Sequence, residues 1–129
     1  MRVLLDTCVL LWLVSDPVRL SARACAALES DETEAYISAI SGFEISVKHR
    51  KGKLELPLAP REWLAQAFAA YSLRELPITM EIAALAPTVA VPHADPCDRM
   101  IIATAQLHGI PVMTPDHLIS VCGDIEILW

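Results

Sequence analysis

Apolar residues in this chain come in short blocks whose spacing alternates between that of a buried strand and that of an amphipathic helix. Val3-Leu4-Leu5 runs without polar alternation, as a strand buried on both faces does, and Asp6 closes it. Thr7 suits the start of a helix through Leu13, which Asp16-Pro17 breaks. Asp6 is an equally good cap for it, because Asp-Thr is a common start signal. Ser21 opens a second helix with Ala24, Ala27 and Leu28 inward, and Glu34 to Ser38 forms the next strand. Ser38 or Ser41 starts a helix carrying Ile40, Phe43, Ile45 and Val47, which Gly52 terminates. Pro57 and Pro60 bracket a loop, and Pro60 falls at or just ahead of the first turn of a helix carrying Trp63, Leu64, Ala67, Phe68 and Tyr71. Glu75 to Ile78 is a weaker strand, and Thr79 caps a helix with Ile82, Ala83, Leu85 and Ala86.

The densest stretch is Pro92 to Asp116. Asp95-Pro96 reads as N-cap and first helical residue, which places Asp98 in the first turn, where the helix dipole favours a carboxylate. Ile101, Ile102 and Ala105 share a face, Gly109 ends the helix, Pro111 to Thr114 is a short strand, and Asp116 follows it. Ile125 to Leu128 supplies a last strand. Strands alternating with helices predict an α/β domain around a parallel sheet. There is no repeat, low-complexity tract or dividing linker, so residues 1–129 read as one domain.

Composition narrows the classes. A hydrophobic fraction of 54% excludes a disordered chain. The apolar run from Cys8 to Val14 is too short to span a bilayer, and no signal-peptide pattern is present, which together predict a soluble cytoplasmic protein. Net charge is −6, so a polyanionic substrate would need local basic groups or bound cations. Cys8, Cys25, Cys97 and Cys122 form no C-x-x-C pair and no zinc-finger spacing with the histidines, and read as buried free thiols in a reducing compartment.

Neither a dinucleotide fingerprint, a P-loop nor a nucleophile elbow occurs. What remains is a set of acids at element ends: Asp6, Glu44, Asp95, Asp98 and Asp116. In an open parallel sheet, strand ends and helix starts meet at the carboxyl edge, where ligands bind. Carboxylates converging there repel one another unless a cation lies between them, and oxygen-only ligation selects a hard ion such as Mg²⁺ or Mn²⁺. Such an ion suits phosphodiester hydrolysis. Glu44 taken alone favours a solvated face over an inward one, because buried acids are uncommon without partners. The run Lys48-His49-Arg50-Lys51-Gly52-Lys53 fits both a helix C-terminus and a phosphate-contacting patch, with Lys48, Arg50 and Lys51 as the candidate contacts.

Asp6-Thr7, Glu44, the block His93-Ala94-Asp95-Pro96-Cys97-Asp98-Arg99 and the segment Thr114-Pro115-Asp116 resemble PIN-domain ribonucleases, most closely the VapC-type toxins of toxin–antitoxin modules. The resemblance runs over essentially the whole chain, and its most specific part is D-P-x-D-R-x-I-x-A-T-A. It implies a three-layer α/β/α fold with a parallel sheet of about five strands and a Mg²⁺- or Mn²⁺-dependent endoribonuclease. By the same resemblance Asp6, Glu44, Asp98 and Asp116 are the catalytic, metal-holding acids, with Thr7, Asp95 and Thr114 in support. Pro115 departs from the usual pattern, and its fixed φ threatens to re-aim Asp116.

The resemblance also implies a cognate antitoxin and a homodimer, with Trp12, Trp63 and Trp129 as interface candidates that suit the core equally well. Two rivals remain. A phosphoacceptor receiver domain shares the length and the fold class, but it wants paired acids after the first strand and a late lysine, and Asp6 stands alone with no lysine beyond Lys53. A PIN-like module that binds RNA or antitoxin without cutting is disfavoured by retention of Asp6, Glu44 and Asp98.

Overall fold

The computed structural model describes residues 1–90, 95–116, 119 and 124–129. His93 and Ala94 of the acidic block, Pro92 before it, and Cys122 lie outside the described residues. The described elements are β1 (Arg2–Leu5), α1 (Thr7–Ser15), α2 (Ala22–Glu29), β2 (Glu34–Ser38), α3 (Ala39–Arg50), α4 (Pro60–Tyr71), β3 (Arg74–Leu76), α5 (Met80–Leu85), α6 (Pro96–His108), β4 (Val112–Met113) and β5 (Ile127–Leu128). Short 3₁₀ turns at Pro17–Arg19 and Ala86–Thr88 follow α1 and α5.

Side-chain caps set most of the helix starts. Ser21, Ser38, Thr79 and Asp95 accept from the first-turn amides of Ala24, Ile40, Ile82 and Cys97. The helix after β1 is capped by Asp6, not by Thr7, and it runs on to Ser15 rather than stopping at Leu13. Two strands are shorter than their apolar runs because Pro111 and Pro115 border one of them and Pro77 follows another. β4 is confined to Val112–Met113 and β3 to Arg74–Leu76; β5 is Ile127–Leu128, shorter than the Ile125–Leu128 run.

All strand pairs are parallel, in the order β3-β2-β1-β4-β5. This order departs from the 2-1-3-4-5 order of receiver-type domains, which removes that rival. From β1 the chain moves outward through β2 and β3, then crosses to the other side for β4 and β5. The switch point therefore lies between β1 and β4, the crevice in which parallel sheets bind ligands.

The pleat of β1 sorts the core. Val3 and Leu5 face one layer with Val9 and Leu10 of α1, Ala24 of α2, Ile45 of α3 and Trp63 and Ala67 of α4. Leu4 faces the other with Ile101 and Ala105 of α6 and Val112 of β4. A further apolar group joins α5 to α6 through Ile82, Ile102 and Ala103. The result is helix, sheet, helix. Trp63 belongs to the core at 3% exposure. Trp12 and Trp129 instead pair with each other, ring centroids 6.0 Å apart, with the Arg19 guanidinium 4.4 Å from the Trp12 ring. Cys8, Cys25 and Cys97 are free thiols as expected, but half-buried rather than fully buried.

The packing of α6 on β1 and β4 yields a stability prediction. Ile101 is fully buried between them. Ile101→Ala should destabilise the fold by about 3 kcal/mol, read as a lower urea midpoint. Truncation of the exposed Met80 should leave that midpoint within about 0.5 kcal/mol of the parent.

Candidate metal centre

The acids reach the switch point from different places: Asp6 directly follows β1, Asp98 lies in the first turn of α6 and Asp116 follows β4, whereas Glu44 lies in the middle of α3 rather than at an element end, where sequence grouped it. Asp6 follows β1, and its backbone N–H donates to the Met113 carbonyl at 3.0 Å, which extends the β1–β4 pairing to the crevice. The residue is only 6% exposed. Oδ1 accepts from the Thr7 amide at 2.7 Å and Oδ2 from the Thr114 hydroxyl at 2.7 Å. The half-buried Cys8 thiol also points at Oδ2, with Sγ at 3.8 Å. Burial raises the Asp6 pKa above the ordinary carboxylate value, the Thr114 and Thr7 hydrogen bonds pull it down, and the charges of Glu44 and Asp116 push it up again.

Thr114 Oγ1 does two jobs. It donates to Asp6 and accepts from the Asp116 amide at 3.1 Å. With Pro115 between them, this small turn leaves Asp116 close enough for its charge to push up the pKa of both Asp6 and Asp98. Thr7 is buried and exchanges a hydrogen bond with the Ser41 hydroxyl at 2.8 Å, which fixes the start of α1 against α3.

α3 carries Glu44 into the same neighbourhood. Its side chain is 13% exposed, so the outward reading that local pattern favours is wrong. Oε2 accepts from Lys48 Nζ one turn on, at 2.8 Å, whereas Oε1 is buried with no hydrogen-bond partner. An unsatisfied buried carboxylate oxygen costs about 1–3 kcal/mol or more. From α6, Asp98 projects from the first turn and Asp95 caps the helix through the Cys97 amide at 2.9 Å. Burial and the charges of Asp6, Asp95, Glu44 and Asp116 push the Asp98 pKa up to about 7.

The structure thus brings Asp6, Glu44, Asp98 and Asp116 within electrostatic reach of one another, with Thr114 bonded to Asp6. Among the described residues no group of three or more His, Cys, Asp or Glu side chains is arranged to hold an ion as it stands. Bare carboxylates repel, and Lys48 has drawn Glu44 Oε2 to itself. The donor set nevertheless fits a hard cation: it is all oxygen, its acids crowd one another, and the orphaned Glu44 Oε1 lacks a positive partner. Sequence offered Ser41 only as a helix start and did not pair it with Thr7, and it did not pair Lys48 with Glu44, although their i, i+4 spacing was visible.

A parallel three-layer domain with acids gathered at its switch point defines a class of α/β proteins whose crevice suits a hard cation. Within it, residues 3–121 match the PIN domain, and the chain belongs to the PIN-domain family. Among its relatives is Ribonuclease VapC22 of Mycobacterium tuberculosis, 38% identical over 118 residues that cover 89% of this chain and 87% of the relative. A toxin-antitoxin complex from Klebsiella pneumoniae contains a chain of 25% identity and TM-score 0.60, with 88% of this chain and 86% of that one covered. VapBC2 from Rickettsia felis, solved with a DNA fragment from its promoter, shares the fold at 12% identity and TM-score 0.73, over 98% of this chain and 97% of its own.

The acid cluster sets the pH response of the cation-free protein. Asp98 and Asp6 bind protons more tightly folded than unfolded. The native state therefore carries the extra protons, and stability falls as pH rises from the unfolded carboxylate range toward about 7, then levels. In EDTA the urea midpoint should decline between about pH 5 and about pH 7.5. Asp98→Asn should flatten that decline and raise the midpoint at neutral pH.

Proposed function

We propose that this chain is a divalent-metal-dependent endoribonuclease and the toxin member of a toxin–antitoxin pair, with residues 1–129 acting as one PIN domain. The observation that carries the reading is the crowding of Asp6, Glu44, Asp98 and Asp116 at the switch point, with a buried Glu44 oxygen left unpaired. The identity to a protein named as a ribonuclease supports the substrate class. The structural likeness to VapBC and other toxin–antitoxin complexes supports a cognate antitoxin partner. No described helix is long and apolar enough to cross a membrane. A cytoplasmic homodimer is consistent with this reading.

In the proposed mechanism Asp6, Glu44 and Asp98 would hold Mg²⁺ or Mn²⁺, with Asp116 as the fourth acid. Such a cation, when bound, would supply positive charge to activate water and to offset the scissile phosphate. The chain's own groups do the positioning. Thr114 Oγ1 and the Thr7 amide fix both oxygens of Asp6, so its carboxylate reaches the crevice in one orientation. The Thr7–Ser41 hydrogen bond holds α3, and hence Glu44, at a set distance from Asp6. Asp95 anchors the start of α6, which aims Asp98. Cys8, with its pKa pushed up to about 12 by burial and Asp6, stays a neutral thiol and adds no further negative charge.

The test uses total cellular RNA, with and without Mn²⁺, and maps the new 5′ ends. The parent chain should cut only with metal. Asp6→Asn should abolish cutting while keeping the far-UV CD spectrum, because it removes ligand charge and almost no volume. Metal should also raise parent stability by about 2.7 kcal/mol at a hundredfold excess over Kd, and Asp6→Asn should lose most of that increment. Full activity in Asp6→Asn would refute the assignment.

A further inference from the structure

One face of α3 is not explained by the acid cluster. Phe43 is 63% exposed, although the same helix buries Ile45 completely. Phe43 borders a cavity of about 310 Å³ with Glu44, Val47, Lys48, Lys51, Lys53, Asp95 and Cys97. The chain has only three lysines, and all three line this one cavity. That concentration occurs on a protein of net charge −6. Arg50, which sequence grouped with Lys48 and Lys51, is not part of the lining.

The convergence is built by the end of α3. Gly52, at φ +72°, occupies the left-handed position that stops the helix. Its N–H donates to the His49 carbonyl at 3.1 Å, and the Lys53 N–H donates back to the Lys48 carbonyl at 2.9 Å. This pair of bonds is a Schellman closure, and it folds Lys53 back alongside Lys48 and Lys51. Dipole compensation explains lysines in the last turn of a helix. It does not explain a lysine beyond the turn, nor an exposed phenyl ring a full turn before the first of them. Lys48 is committed to Glu44. Among the described residues Lys51 and Lys53 form no ion pair.

An exposed aromatic beside unpaired ammonium groups is the chemistry that holds single-stranded nucleic acid: the ring stacks on a base and the cations meet the backbone. Glu44 and Asp95 also line the cavity, and their charges act on Asp98, so an occupant of the cavity lies beside the acid cluster. We propose that this cavity is a nucleotide subsite for the single-stranded RNA next to the bond that is cut. Phe43 stacks on a base over Val47, and Lys51 and Lys53 take the adjoining phosphates. The proposal rests on the nuclease reading and names how that site grips its substrate.

The experiment uses a fluorescein-labelled single-stranded RNA of about twelve nucleotides, long enough for one such groove, in the Asp6→Asn background so that bound RNA survives. Adding Phe43→Ala should weaken binding about tenfold, and Phe43→Trp should restore it, since any large π-face stacks. Adding Lys51→Ala and Lys53→Ala together should reduce the slope of log Kd against log salt by about 1.4, two phosphate contacts at about 0.7 each. In the active chain, Phe43→Ala should raise KM more than it lowers kcat. If the parent cuts RNA but these variants bind with unchanged Kd and slope, the subsite is overturned. A change in oligomeric mass or in capture of an acidic peptide on Phe43→Ala, with RNA affinity intact, overturns it in favour of a protein contact. A parent that neither cuts nor binds RNA overturns the nuclease reading itself, and the subsite with it.

Discussion

Mutual repulsion among carboxylates at the end of β1 is the constraint on which the rest of the molecule depends. A parallel sheet that switches direction beside β1 collects the residues following β1 and β4 and the start of α6 at one edge. Here those positions are acids, and burial in the crevice magnifies their interaction. The fold contains that repulsion with few positive groups. A threonine hydroxyl and a backbone amide hold Asp6, a lysine holds one oxygen of Glu44, and Asp98 retains a proton more readily than an exposed aspartate does.

The cost of this arrangement is met by ordinary apolar packing on both sides of the sheet. Val3, Leu4 and Leu5 are all fully buried, so each face of β1 anchors its own helix layer. A fully buried side chain of this size contributes roughly 1.5–3 kcal/mol. The layers hold the strand ends in place, and a cluster of like charges persists where a flexible scaffold would let it spread.

Much of this was legible in the amino-acid order, because caps and breakers act locally. Ser21, Ser38, Thr79 and Asp95 start helices where their side chains reach first-turn amides, and Gly52 and Gly109 stop helices at left-handed positions. α3 was harder to read. Ile40, Phe43, Ile45 and Val47 are all apolar, yet among them only Ile45 disappears completely into the core, while Phe43 is exposed. The helix packs toward two apolar groups at once, Ile45 toward one and Ile40 toward the other. That tertiary arrangement turns Glu44 inward and Phe43 outward, and no local periodicity encodes it. The Thr114 hydroxyl that accepts from the Asp116 amide across Pro115 is likewise a contact that periodicity does not encode.

The bond between Asp6 and Thr114 joins residues 108 positions apart. Contacts of such separation close late, after the intervening loop entropy has been spent. A chain emerging from the ribosome presents Asp6 more than a hundred residues before Thr114, so this bond cannot form until residue 114 has been made. Until then the Asp6 carboxylate is without the Thr114 hydroxyl as donor, and the strand end it belongs to is not tied through it to the crevice.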